Sequence, residues 1–204
     1  MSDFAGFSVD PDLLLRRGQI EVDEETFGAT PERPPTVDPE AFKAAMRVLA
    51  AGVVMVTAQS EGELHGLTIS ACCSISAAPP QVLISLAETA SCLPAVLETG
   101  RFGLSILRAE QRSLAEMGAV PGGQKKVQAF TESPDGRVTA IAGALAHLDC
   151  SVAQVFRASD HVLIIGNVEH AISAPEGELD DPGPLLYFNR TFYALGAPVE
   201  DEVV

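Results

Sequence analysis

From residue 53 to residue 196 the chain supplies one short β-branched or apolar run after another, each cut off by glycine, proline or a polar turn. Val53–Ala58, Val82–Leu86 and Phe102–Leu107 read as strands, because Val, Ile and aromatic residues suit a pleated, half-buried surface. Ala144–Phe156 and Val162–Ala174 read as two long strands joined through RASDH, and LLYF and FYAL as a closing pair around Asn189-Arg190. Helical stretches are few and do not alternate with the strands, which disfavours a doubly wound parallel sheet. The pattern predicts a mainly β fold with helices (α+β), an antiparallel barrel of Greek-key type. No G-x-G-x-x-G follows any strand, so a Rossmann dinucleotide unit is excluded.

The chain divides into three zones: an N-terminal arm or linker over 1–37, one domain over 38–197, and an acidic tail over 198–204. Prolines at 31, 34, 35 and 39 forbid a continuous helix or central strand at the first boundary. Asp38-Pro39 then reads as a helix start, with the carboxylate as N-cap and proline in the first turn. Phe42, Ala45, Met46 and Leu49 recur at helical spacing and give one apolar face, with the helix stopping near Gly52. SEGELHG reads as a turn, and Leu67–Ser76 as one strand with a polar face. Ser91–Thr99 and Ala109–Met117 read as helices, and residues 121–137 as a long glycine-rich loop.

Net charge narrows the partners. With 13 Lys and Arg against 28 Asp and Glu, the formal charge is −15, which argues against a nucleic-acid partner, since phosphate backbones are held by bases. No apolar run approaches a membrane span, and MSDFAGFSVDPD lacks the basic and apolar regions of a signal peptide, so the cytoplasm is the expected location. Cys72, Cys73, Cys92 and Cys150 lack metal-site spacing and read as reduced packing thiols; no metal is expected.

Three features can carry chemistry. Thr68, Ser70, Ser74 and Ser76 stand at even positions and so share one face of a strand. Hydroxyls and backbone N–H groups there suit a ligand rich in carbonyl and phosphate oxygens, though an ordinary solvated strand face shows the same pattern. His161, after Asp160 and at the mouth of an apolar strand, can donate a hydrogen bond or a proton beside a ligand; it also fits a capping histidine. In YFNRTFYAL, Arg190 among Tyr187, Phe188, Phe192 and Tyr193 offers stacking and phosphate pairing, or the aromatics simply fill the barrel. His65, His147 and His170 read as structural. No Ser-His-Asp or Cys-His arrangement emerges.

In combination these segments resemble the short-chain flavin-reductase family, the reductase components of two-component flavin monooxygenases. Phe42 with MRVLAAGVVMVTA is similar to the family's opening helix and strand, and HGLTISACCSISAAPPQVLISL to its H-G-x-T-x-S segment. GRFGLSIL, Gln111 with Leu114-Ala115, LAHLDCSV, SDHVLIIGNVE and PLLYFNRTFYAL follow in the family's order. The resemblance runs from about residue 40 to residue 196. It implies an FMN-binding split β-barrel, a homodimer with flavin sites near the interface, NADH or NADPH as reductant, and FMN or FAD passed reduced to a flavin-dependent monooxygenase component. By the same resemblance Thr68, Ser70, Ala71 and Cys72 line the flavin. Ser85, Ala87 and Ser91 approach its ribityl chain and phosphate, His161 is the catalytic residue near the nicotinamide, and Arg190 and Tyr193 lie close to that pocket.

Three residues depart from the family pattern: Glu88 where a base is common, Ser159 for a glycine, and Ser105 for an asparagine. An acid beside a phosphate weakens binding by about 1–2 kcal/mol. Glu88 and the acidic field therefore motivate an alternative, a non-redox split barrel that binds flavin or another planar ligand as carrier or repurposed scaffold.

Overall fold

The computed structural model describes residues 21–22, 37–120, 130–132, 138–178 and 182–196. Seven antiparallel strands form the main sheet. They are β3 (Val54–Ser60), β4 (Glu63–Ile69), β5 (Cys72–Ala77), β6 (Pro80–Ala87), β7 (Arg101–Ile106), β10 (Ala146–Ala158) and β11 (His161–Ser173). Their order is β4-β3-β7-β10-β11-β6-β5. The two edge strands are therefore neighbours in sequence, joined only through Ser70 and Ala71. In a flat sheet they would stand roughly 29 Å apart at ~4.8 Å per strand, yet three peptide steps span at most about 11 Å. The sheet has to curl until its edges approach, which makes it a barrel split at that seam.

Curling puts alternate side chains inside. β6 alternates buried and half-buried residues along PQVLISLA, and Ile84 and Leu86 are fully enclosed. Val56, Phe102, Leu104, Cys150, Val152 and Ile164 complete the interior, plugged at one end by α2 (Leu93–Thr99) through Leu93, Val96 and Leu97. Gly100 ends that helix at φ 66°, a left-handed conformation that glycine adopts without cost. A second apolar cluster, with Val53, Met55, Leu107, Ile141 and Leu185, lies outside the barrel beneath α3 (Arg112–Gly118). It is closed by a small sheet of β2 (Ala51–Gly52), β12 (Leu185–Phe188) and β13 (Thr191–Ala194). Two short strands, β8 (Phe130–Glu132) and β9 (Thr139–Ile141), form a hairpin inside the region read as a loop; the remainder of 121–137 lies outside the described residues.

Helix α1 (Pro39–Met46) starts as expected, with Ala41 N–H donating to Asp38 Oδ2 at 3.0 Å. It ends at Met46, short of Gly52, and none of its residues is buried; Phe42, Met46 and Leu49 stay exposed. The segment read as a turn at SEGELHG is mostly strand, the turn being Glu61-Gly62 at φ 50° and 80°. The expected single strand Leu67–Ser76 is two strands, because the chain leaves one sheet edge at Ile69 and enters the other at Cys72. Of the arm, only β1 (Glu21–Val22) is described, paired parallel with Gln154 and Val155; the rest of 1–36 and the tail lie outside the described residues.

Candidate active site

The break at Ser70-Ala71 decides how the expected residues are grouped. On one side of it, Thr68, Ser70 and Arg190 line a cavity of about 490 Å³ with Glu116, Tyr187 and Phe192, within the usual size range of small-molecule sites. Thr68 Oγ1 is buried without a hydrogen-bond partner. That is an unusual state for a buried hydroxyl; the oxygen is enclosed against the end of α3 rather than presented to the cavity. Gly118, at the end of α3, makes this possible. A Cβ there would collide with Thr68 Oγ1 and Met55 Cε. On the other cavity wall the Arg112 guanidinium lies 5.8 Å over the Phe192 ring and bonds Glu116 at 2.8 Å. The sequence reading missed Glu116, although its i,i+4 spacing from Arg112 was a legible helix pair.

Arg190 reaches this wall from a tight hairpin. Asn189 and Arg190 have φ 45° and 64°, as a two-residue primed turn requires, and Asn-Gly is the economical sequence there. An arginine in the left-handed region costs about 1 kcal/mol over glycine. A second cavity of about 340 Å³ shares Ser70, Tyr187 and Arg190 with the first and extends under α1 past Phe42, Lys43 and Arg47.

On the other side of the break, register aligns the remaining residues. His161 pairs with Ala87 and Leu163 with Ser85, so His161, Ser85 and Ala87 share the outward face of β6 and β11. Ala71 belongs to this side through its carbonyl, which accepts from Ser85 N–H at 3.0 Å. Cys72 opposes Ile84 and packs against the barrel core, leaving its backbone as the part available to a ligand. Burial pushes its thiol up to about 11. The expected ladder of hydroxyls on one strand face is thus corrected: Thr68 sits on β4, Ser74 and Ser76 on β5, at opposite sheet edges. Ser91 lies exposed before α2, and Tyr193 is exposed, its ring edge-on to Phe188 with centroids 6.0 Å apart. Like Ala71, Cys72, Ser85, Ala87 and His161, neither lines either cavity.

His161 Nδ1 lies 2.8 Å from Asp160 Oδ1, and this bond, first among the causes, holds the Asp160 carboxyl below its usual range. The pair orients the imidazole while leaving Nε2 free of any protein bond among the described residues. Ser159 has φ 57°; the two-residue turn between β10 and β11 demands a left-handed residue there, which explains the family's preference for glycine. Glu88 departs from its expected effect. Its carboxylate pairs with Arg157 at 2.5 Å. Arg157 stands opposite Val162, a buried residue, and so on the other face of the hairpin from His161.

The third departure, Ser105, is part of a buried chain that the sequence did not disclose. Ile141 N–H donates to Ser105 Oγ at 3.1 Å, and Ser105 Oγ lies 2.9 Å from His147 Nδ1. His147 Nε2 lies 2.7 Å from Asp149 Oδ1. A carboxylate only accepts, so Nε2 carries a proton; in the neutral ring Nδ1 accepts from the serine hydroxyl. Ser105 has no exposed surface, which denies a substrate access to it. The chain is structural, anchoring β9 to the barrel. Among the described residues no group of three or more His, Cys, Asp or Glu could hold a metal ion, and no helix is long and apolar enough to cross a membrane.

Known proteins resemble this chain in sequence and fold. The flavin reductase like domain matches residues 46–196. The chain is 35% identical over 172 residues to a flavin reductase (NADH) of Kitasatospora aureofaciens, covering 83% of this chain and 87% of the relative. It is 38% identical over 160 residues to the reductase component of 4-hydroxyphenylacetate 3-monooxygenase from Thermus thermophilus, covering 78% and 98%. The solved styrene monooxygenase flavin reductase of Pseudomonas putida superposes with a TM-score of 0.66 at 28% identity, over 78% of this chain and 99% of that one. A split barrel with these residues around its seam, matched over most of its length by such relatives, belongs to the flavin reductase family.

Proposed function

We propose that this protein is an NAD(P)H:flavin oxidoreductase that hands reduced FMN or FAD to a flavin-dependent monooxygenase. The observation that carries the reading is the meeting, at Ser70-Ala71, of an open cavity with a row of outward residues ending in His161. Relatives named as NADH-dependent flavin reductases and as monooxygenase reductase components support it.

The donor set fits a flavin. Thr68 and Ser70 border the cavity and Tyr187 and Phe192 supply flat apolar walls, while Ala71, next in the chain, would add backbone groups. When bound, the flavin accepts the hydride and the reduced nicotinamide donates it, so the protein has little acid–base work to do. Its residues hold the rings face to face, exclude water through the apolar walls, and fix orientation. His161, steadied by Asp160, offers Nε2 to the substrate side as a hydrogen-bond or proton donor. Ser85 and Ala87, level with it in register, bound the same surface.

A homodimer completes this proposal. The outward face that bears His161 has no covering layer among the described residues, and β5 presents Cys73 and Ile75 to solvent on an edge strand of the kind proteins normally cover. A second copy laid there would close the flavin site. A cytoplasmic location suits four cysteines that are all free thiols. One domain over 38–197, with 1–37 as an arm and 198–204 as a tail, remains our division of the chain. Of the two grounds for the non-redox alternative, Glu88 and the acidic field, the first is met by the pairing of Glu88 with Arg157.

The test is NADH and NADPH oxidation at 340 nm with FMN, FAD and riboflavin in turn. We expect turnover with at least one pair, and a loss of about 10²-fold in kcat/KM for His161→Ala. Absence of turnover with all six pairs overturns the reading.

A further inference from the structure

This acid-rich chain collects uncompensated base in one place. We infer that the smaller cavity, beneath α1, binds the phosphate groups of a ring-bearing substrate, supplied either by a nicotinamide dinucleotide or by a flavin phosphate. The inference rests on the reductase reading. Lys43, Arg47 and Arg190 line the cavity, and no acidic side chain does, although Asp and Glu outnumber Lys and Arg 28 to 13 in the chain. Among the described residues, Arg101 is paired with Glu169, Arg112 with Glu116 and Arg157 with Glu88, while Arg108 Nε donates to the Gly143 carbonyl. Lys43 is shared with Glu40 at 2.8 Å. Arg47 and Arg190 pair with no carboxylate among the described residues. Two guanidinium forks from elements distant in sequence thus border one hollow, in a geometry suited to phosphate oxygens.

A structural role accounts for only part of this. Lys43 and Arg47 close α1, where cations complement the negative end of a helix. Arg190 has no such reason to be there. It sits on a separate hairpin, in a backbone conformation that favours glycine. Asn189 N–H donates to the Arg47 carbonyl at 2.8 Å, so the helix end and the hairpin are tied and their two cations keep a fixed spacing. The shared wall of Ser70, Tyr187 and Arg190 makes the two cavities adjoining compartments, ring in the larger and phosphates in the smaller.

Steady-state kinetics with riboflavin, which carries no phosphate, and with FMN separate the sources. Arg47→Gln is expected to raise the KM of a phosphate-bearing substrate by about 5–10-fold, the loss of one charge-assisted contact. The kcat should stay within about twofold, and the KM of riboflavin should not change. A rise for NADH or NADPH with riboflavin as acceptor assigns the dinucleotide diphosphate; a rise confined to FMN assigns the flavin phosphate. Glu40→Gln, which releases Lys43, should lower the same KM by about twofold, a shift that a purely structural helix end would not give. If Arg47→Gln melts early, Lys43→Gln, which touches only the smaller cavity, is expected to raise the same KM by about twofold. Unchanged KM for every phosphate-bearing substrate, or an equal rise for riboflavin, overturns the inference. If the protein oxidises no nicotinamide cofactor at all, calorimetric titration with inorganic pyrophosphate decides. Binding that Arg47→Gln abolishes upholds the cavity, and titrations that show no loss in the variant overturn it.

Discussion

Asp149 Oδ1 accepts from His147 Nε2 at 2.7 Å inside the barrel wall, where Asp149 keeps only 1% of its surface and His147 8%. Removing one partner of a buried charged contact leaves the other desolvated. Asp149→Ala is expected to cost about 3 kcal/mol, and Ser105→Ala, which breaks the neutral end of the chain, about 1–2 kcal/mol. Urea unfolding at pH 7 measures both; a cost below about 0.5 kcal/mol for Asp149→Ala contradicts the anchoring role.

The Ser159 turn gives a prediction of opposite sign. A serine at φ 57° gives way to glycine without strain, so Ser159→Gly should stabilise by about 1 kcal/mol. The thermal midpoint should rise by a few degrees, with NADH oxidation unaltered.

Buried thiols set the alkaline limit of stability. Burial pushes Cys92 and Cys150 up to about 12 and Cys72 to about 11, all from 9.0. Their folded-state values lie above the unfolded ones, so their contribution is complete below pH 9 and declines as pH rises through the folded values. Each thiol adds a slope of about 1.4 kcal/mol per pH unit in that window. Denaturant midpoints should hold from about pH 8 to 9 and fall between about pH 9 and 11, and Cys92→Ala should flatten the fall while lowering the plateau. Iodoacetamide should reach Cys73 before Cys92 or Cys150 in protein diluted to the monomer, and more slowly where a second copy covers β5, a difference that peptide mass mapping reads directly.

Gly118 links packing to the site. A methyl group there meets Thr68 Oγ1 and Met55 Cε, so those side chains must turn away or the α3 end must shift. Gly118→Ala should destabilise by about 1–3 kcal/mol and raise the KM for flavin several-fold, because Thr68 and Glu116 both line the larger cavity. Glu88→Gln, by contrast, should leave the flavin KM within about twofold, since its partner Arg157 faces away from His161.

The fold was legible where local chemistry decides it. Asp38-Pro39, Gly100, and the alternation of β6, β10 and β11 declare themselves residue by residue. The run LTISACCSIS did not. Its alternation is unbroken, and only pairing to strands far along the chain reveals that Ile69 and Cys72 belong to opposite edges. The site divides in the same way. Thr68, Ser70 and Arg190 were visible as polar or charged residues at unusual places, and they do meet. Ser91 and Tyr193, carried over by resemblance, lie exposed away from both cavities. The Ser105–His147–Asp149 chain could not be read at all, since it depends on a register between β7 and β10. The meaning of Glu88 depended likewise on finding Arg157 across a hairpin.

Because two residues tether strands that would otherwise stand a sheet-width apart, the girth of the barrel and the mouth of its ligand site are governed by one short length of chain. An added glycine after Ser70 would touch no interior side chain, yet it would slacken the curl and spread Thr68 away from Ala71. Tolerance to insertion, usual in surface connections, should be missing at this one.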